Sequence, residues 1–187
     1  MALQLEGKRV AILATDGVER IELERPREAL DEHGATTVLL SIDDLGVELF
    51  NHTDPAGHAQ AEALVGDVDA GEFDALVLPG GVHNPDALRQ DPKAVEFVRA
   101  FFDAGKPVGA ICHGPWLLAE AGVADGRTLT SYPSLRTDLT NAGAEWVDQE
   151  VVVDQGLVTS RNPDDLPAFC AKVVEEIAEG RHAGQHG

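Results

Sequence analysis

The sequence predicts a single α/β domain built on a mostly parallel sheet, and three observations carry that expectation. Short apolar, β-branched runs recur at residues 8–14, 36–42, 74–79 and 108–111. Segments of helical character lie between them, and Gly or Pro punctuates the junctions. Strands that alternate with helices imply crossover connections, which cover a parallel sheet on both faces. The length of 187 residues fits one domain, drawn at 1–180, since domains commonly run to roughly 100–200 residues.

The elements follow in order. Residues 8–14 (KRVAILA) read as a buried strand, and Glu19 to His33 as a helix stopped by Gly34. Thr36–Ile42 is again a strand, while residues 43–72 scatter Asp, Gly, Pro and His and read as short strands and loops. Asp74–Pro79 is a strand ending in Gly80-Gly81. Pro92 opens a helix through Phe102, with Val95, Val98, Phe101 and Phe102 on its apolar face. Val108–Ile111 is a fourth strand, followed by Cys112-His113-Gly114-Pro115 and a helix to Ala121. Thr128–Ser131 reads as a short strand and Ser134–Ala142 as a helix. Asp154-Gln155-Gly156, between Gln149–Val153 and Leu157–Ser160, signals a hairpin that adds antiparallel character late in the sheet. Asn162 caps a last helix with Pro163 at its first position, running to Glu179 and stopped by Gly180. The tail 181–187 is small and polar, and is expected to be disordered.

Composition narrows the function classes. With 14 basic against 33 acidic residues, the formal net charge is −19, which argues against nucleic acid and anionic membranes as partners. Such acidity fits either a high-salt host or a solvated acidic surface. No signal peptide and no membrane-length apolar run is legible, so a cytoplasmic location is expected. Two cysteines are too few for a disulfide framework, and no Cys/His cluster has zinc-site spacing. The expectation is therefore no metal and no cofactor.

Chemistry in open α/β sheets collects at the carboxyl ends of strands. Cys112 stands at such an end, between a strand and a helix, with Ala110 and Gly114 as small neighbours. That is the steric pattern of a nucleophile elbow, and the following helix N-terminus is expected to lower the thiol pKa. A free cysteine is also often just a small buried hydrophobe, which is the reading given to Cys170 among Phe169, Val173, Val174 and Ile177. Gly80-Gly81 ends a second strand, where backbone N–H groups can serve an oxyanion, although a tight turn explains the pair equally well. Glu19 opens a helix as a dipole partner or, when protonated, as a donor to the thiol. Of seven histidines, only His113, His182 and His186 fall at or after the elbow, so the order nucleophile, acid, distant histidine is disfavoured. His113 is left as the candidate base; His83, after the glycine pair, is a second histidine near the site.

The segments DGVERIEL (16–23), LVLPGG (76–81), GKPVGAICHGP (105–115) and TSYP (130–133) resemble the ThiJ/PfpI superfamily. NAGAEWVD (141–148) and VVVD (151–154) fit it too, most closely in its PfpI-type intracellular protease and general stress protein branch. The resemblance spans about residues 8–179. It implies a flavodoxin-like three-layer sandwich of the class I glutamine amidotransferase-like group, assembled as dimers or dimer-built hexamers. By motif, Cys112 resembles the reactive cysteine, Glu19 the carboxylic acid bonded to it, and His113 the adjacent histidine of the protease-like branch. Backbone N–H groups near Gly81 and His113 match its oxyanion site. Tyr132 matches a pocket tyrosine, and Trp116 falls where branches vary. Asp86, in the loop after Pro79-Gly80-Gly81, stands where a neighbouring subunit's Glu can complete a triad; it is shorter by a methylene.

Two functions follow as expectations. One is a cysteine hydrolase with Cys112 attacking a carbonyl and His113 moving protons, for which the resemblance implies peptides, glycated adducts or small dicarbonyls such as methylglyoxal as substrates. The other is a redox sensor or protective protein in which Cys112 is oxidised. A third reading leaves the elbow without function on a structural domain.

Overall fold

This computed structural model of the chain describes residues 5–183. The chain enters on β1 (Arg9–Leu13), a two-residue β2 (Val18–Glu19) and α1 (Arg20–Glu32), which ends at His33 before Gly34. β3 (Thr36–Ser41) is followed by β4 (Gly46–Asn51), β5 (Asp54–Gln60) and β6 (Ala63–Leu64). Then come β7 (Ala75–Leu78), α2 (His83–Leu88), α3 (Pro92–Asp103), β8 (Val108–Ile111) and α4 (Trp116–Glu120). The last third holds β9 (Thr128–Leu129), α5 (Arg136–Asn141), β10 (Glu145–Trp146), β11 (Val151–Asp154), β12 (Leu157–Ser160) and α6 (Leu166–Glu179).

Seven strands form the central sheet in the order β11-β12-β8-β7-β1-β3-β6, parallel throughout except for β11, which pairs antiparallel with β12. Alternate residues of each strand feed opposite faces. Ala11, Leu13, Leu76, Leu78, Val108 and Ala110 pack under α3, α4 and α5. Val10, Ile12, Ala75, Val77 and Ile111 pack under α1 and α6. The central strands are buried on both sides, which is why they read as continuous apolar runs. A three-layer α/β sandwich results, as the sequence predicts. No helix among the described residues is long and apolar enough to cross a membrane.

The chain runs outward from β1 to β3 and β6, then returns to place β7 on the other flank of β1. That reversal opens a crevice beyond the carboxyl ends of β1, β7 and β8. Over it stands a second small sheet of β2, β4 and β5, whose β4–β5 hairpin turns at His52 with φ 58°. This hairpin is the longest regular structure inside the irregular 43–72 stretch, which also holds the short β6. Its β5 strand, DPAGHAQ, is largely exposed and has no apolar alternation to announce it. The final helix is entered through a short 3-10 turn at Pro163–Asp165, where Asn162 accepts a hydrogen bond from the Asp164 N–H. Within the tail 181–187, the His182 N–H donates to the Gly105 carbonyl at 2.8 Å. Residues 184–187, including His186, lie outside the described residues.

Candidate active site

Cys112 leaves β8 with φ 61°, a left-handed conformation that costs of order 1–3 kcal/mol for a side chain other than glycine and persists only when its surroundings enforce it. They do. Its N–H donates to the Ser160 carbonyl at 3.1 Å, its own carbonyl accepts from the Tyr132 N–H at 2.8 Å, and the Gly114 N–H turns back to the Ile111 carbonyl at 2.9 Å. The sharp strand-to-helix turn expected from Gly114 and Ala110 is thus present.

The side chain of His113 meets its neighbour, with Nδ1 3.1 Å from the Cys112 sulfur. On its far side Nε2 lies 3.3 Å from Ser134 Oγ, Tyr132 stacks on the ring at 4.6 Å, and Trp116 abuts it edge-on at 5.6 Å. A hydrogen placed on Nε2 and donated to Ser134 leaves Nδ1 to accept from the thiol. Burial lowers the His113 pKa, which favours that neutral form. Trp116 itself is tied outward, its indole N–H donating to Asp138 at 2.8 Å.

The carboxyl beside the sulfur is Glu22, which corrects the expectation placed on Glu19. Glu22 is fully buried, accepts the Gly80 N–H at 2.8 Å through Oε2, and interacts with the Cys112 side chain. Glu19 instead lines the cavity wall and accepts the His52 N–H at 2.9 Å, fastening the β4–β5 turn over the crevice. The physical reason is helical phase. α1 begins after Glu19, and its buried face is Glu22, Leu23, Pro26 and Leu30, so Glu22 alone of the two rides the inward stripe.

Gly80 sits between these groups. A Cβ there would lie 2.6 Å from Glu22 Oε2, 2.7 Å from the Cys112 Cβ and 2.9 Å from the His113 nitrogen, so only glycine fits. The backbone N–H groups of Gly81 and His113 are directed at the sulfur. Asn84, fully buried in α2, holds this loop: Oδ1 accepts the Thr15 N–H at 2.8 Å, and Nδ2 donates to the Pro79 and Gly80 carbonyls at 3.1 and 3.0 Å. Sequence reading missed Asn84 because α2 follows a glycine pair that reads as an ordinary turn. Asn84→Ala is expected to cost about 2–4 kcal/mol, since it removes three hydrogen bonds and leaves the Thr15 N–H and the Pro79 carbonyl without their partner, while the Gly80 carbonyl keeps the Glu19 N–H. Urea denaturation checks this, and a change under 1 kcal/mol contradicts the clamp.

The electrostatics depart from the expected acidic thiol. Burial pushes the Cys112 pKa up, the Glu22 carboxylate adds to the rise, and the Gly81 and His113 N–H groups pull against it. No helix dipole compensates, because α4 begins only at Trp116. Glu22 itself is raised to about 8, chiefly by burial, so it holds its proton at neutral pH. Protonated, it brings no charge against a thiolate, and its hydrogen is available to the sulfur.

Cys112, His113 and Glu22 floor an open cavity of about 660 Å³, whose walls include Glu19, Arg20, His52, Gly81, Tyr132 and Asp164. Tyr132 is 41% exposed at its mouth. Asp86 and His83 are exposed on α2 and do not line this cavity. Cys170 lies in a separate groove between α1 and α6, half-buried, its thiol pushed up to about 11 by burial.

A doubly covered parallel sheet with a cysteine held on a strained turn at a strand's carboxyl end defines the cysteine-elbow class of α/β proteins. Within that class, residues 8–176 match the model of the DJ-1/PfpI family, and the chain belongs to this family. It is 45% identical over 163 residues to "Protein/nucleic acid deglycase 2" of Escherichia coli (strain K12), covering 87% of this chain and 93% of that one. Over 164 residues it is 44% identical to "General stress protein 18" of Bacillus subtilis (strain 168), with 87% and 94% covered. Among solved structures, a two-domain protein of Anabaena variabilis ATCC 29413 with DJ-1/ThiJ/PfpI-like and ferritin-like domains superposes with a TM-score of 0.85 at 34% identity. That match covers 96% of this chain and spans half of the two-domain one.

Proposed function

We propose that this protein is a cysteine-dependent stress-response hydrolase acting on carbonyl substrates: small dicarbonyls, glycated adducts or peptides. The observation that carries the reading is the Cys112 sulfur, on a strained elbow 3.1 Å from His113 Nδ1, at the floor of an open cavity. A relative named as a deglycase, and one named as a stress protein, support the same class. Cys112 adds to the carbonyl carbon, forming an S–C bond as the C=O π bond becomes C–O⁻. The thiol proton passes to His113, and the Gly81 and His113 N–H groups donate to the oxyanion. With a peptide, His113 then returns the proton to the leaving amine and water hydrolyses the thioester; a glycated amine leaves in the same way. A dicarbonyl such as methylglyoxal has no leaving group, so the C1 proton of its thiohemiacetal moves to C2 through His113, and water hydrolyses the resulting thioester to a 2-hydroxy acid. Protonated Glu22 steadies the sulfur throughout.

The test is consumption of methylglyoxal, a glycated amino acid and a peptide panel by the purified protein, each repeated with His113→Ala. Turnover that falls by about a hundredfold in the variant supports the reading. The same rate in both sinks the proton role of His113.

Asp86 has a place only if a neighbouring copy of the chain presents it, since it is exposed and away from its own cavity. Asp86→Ala is therefore expected to lower peptide cleavage while leaving dicarbonyl consumption unchanged, in a protein that elutes as a dimer or hexamer. Equal loss on both substrates contradicts the subunit-shared role.

A second reading rests on the same surroundings of the sulfur. Glu22 and the two N–H groups would also hold the oxygen of a sulfenate, formed when Cys112 is oxidised by a peroxide that is itself reduced to water. Peroxide consumption that depends on Cys112, with no carbonyl turnover, would favour it.

A further inference from the structure

The carboxyl end of α6 carries charge that the helix does not favour. Helix carbonyls leave partial negative charge there, which basic residues normally offset. Here Glu175, Glu176 and Glu179 fill the last turns, and the final turn has no basic residue. Gly180 then reverses the chain at φ 91°, ψ −141°, a conformation essentially reserved for glycine. The reversal carries His182 back over the helix end, where its N–H is anchored on the Gly105 carbonyl at 2.8 Å.

Two buried polar atoms meet at this point without hydrogen bonding. Glu176 Oε2 and His182 Nε2 are 3.1 Å apart, yet each lacks a hydrogen-bond partner, and the Glu176 side chain is only 8% exposed. Glu179 lies one turn along the same helix face. One ligand atom from each of Glu176, Glu179 and His182 falls within 4.8 Å of the others. A simple ion pair explains the proximity but not the geometry, because an imidazolium would aim its N–H at the carboxylate. Neighbouring ligands of one small cation stand near this spacing: N and O donors at about 2.0–2.2 Å from a tetrahedral zinc are roughly 3.3–3.6 Å from each other, a few tenths of an ångström beyond the separation seen here.

We propose that Glu176, Glu179 and His182 bind a divalent transition-metal ion of the zinc type, which fastens the chain beyond Gly180 to α6. The imidazole selects such an ion over Mg²⁺ or Ca²⁺, and exposed Glu179 leaves the outer side open to water as further ligand. The site lies beside Gly105, ahead of β8, whereas Cys112 follows the opposite end of that strand. Its role is therefore structural. The spacing Glu-x2-Glu-x2-His matches no zinc pattern by itself, and only the reversal at Gly180 assembles it.

The full-length protein, stripped with a chelator, is titrated with ZnCl₂ against a chromophoric competitor, and thermal unfolding is followed with and without one equivalent. One zinc per chain and a raised melting temperature are expected. His182→Ala, which keeps the backbone bond to Gly105, should weaken binding at least about tenfold, as should Glu176→Gln; even outer-shell partners of metal ligands cost that much. The double variant Cys112→Ser, Cys170→Ser should bind zinc unchanged, and MgCl₂ should not raise the melting temperature. Absence of stoichiometric binding, binding indifferent to His182→Ala, or binding lost with the cysteines overturns the proposal.

Discussion

Glu22→Gln is expected to flatten the pH dependence of stability and to leave the variant more stable than the parent in mild alkali. Glu22 has a folded-state pKa of about 8 against an ordinary 4.5, chiefly because it is buried. The folded chain thus binds this proton more tightly than the unfolded chain. The corresponding stability is whole below about pH 4.5 and is lost as pH rises through about 8, to a total of about 5 kcal/mol at 1.36 kcal/mol per pH unit. Glutamine is neutral at every pH, and its amide oxygen can keep the 2.8 Å bond from the Gly80 N–H. Urea denaturation of both proteins at pH 5, 7 and 9 checks this. Curves that stay parallel across the range would mean that Glu22 is already ionised in the native state.

Cys112→Ser is expected to lower turnover of every accepted carbonyl substrate by at least about a thousandfold, while Cys170→Ser leaves it unchanged. The contrast is one of setting. Cys112 has a strained backbone, a base at 3.1 Å and a cavity above it; Cys170 lies on α6 in a groove with no histidine in its lining. A serine hydroxyl keeps the shape but needs a stronger base than a buried imidazole. Residual turnover within tenfold of the parent would move the chemistry elsewhere.

Six of the seven strands of the central sheet and most helices were legible because each is buried on a periodic face or bounded by Gly and Pro; the two-residue β6 was not. β8 and the hairpin of β11 and β12 illustrate this, with Asp154-Gln155-Gly156 turning at φ 48° and 86° for its last two residues. The β4–β5 hairpin was not legible. Its outer strand is solvated on both faces and is held by pairing with β4, which composition does not report. At the site, the elbow and the glycine pair could be read from local sterics. The carboxyl partner could not be settled by counting from a motif, since Glu19 and Glu22 both fall within DGVERIEL. What separates them is that Glu22 shares a helical stripe with Leu23, Pro26 and Leu30. A carboxylate on an apolar stripe is the signal that would have found it. Burial also pushes the thiol pKa up, opposite to the direction expected from a strand-to-helix turn.

The acidic surplus has acquired particular roles at two places. One is the protonated Glu22 under the thiol, and the other is the carboxylate-rich end of α6. Most other acids ring the surface, as in the exposed pairs Arg25–Glu28 and Lys172–Glu175, where each contact contributes about 0–1 kcal/mol.

In the proposed chemistry the Cys112 sulfur adds to a carbonyl carbon. This addition is tested most directly by NMR of a peptide aldehyde labelled with a carbon isotope at its carbonyl, mixed with the protein at neutral pH. The account predicts that the aldehyde signal gives way to a thiohemiacetal signal in the parent and in Cys170→Ser, and that it persists unchanged in Cys112→Ser. A thiohemiacetal that forms equally well without Cys112, or none in the parent, would contradict it.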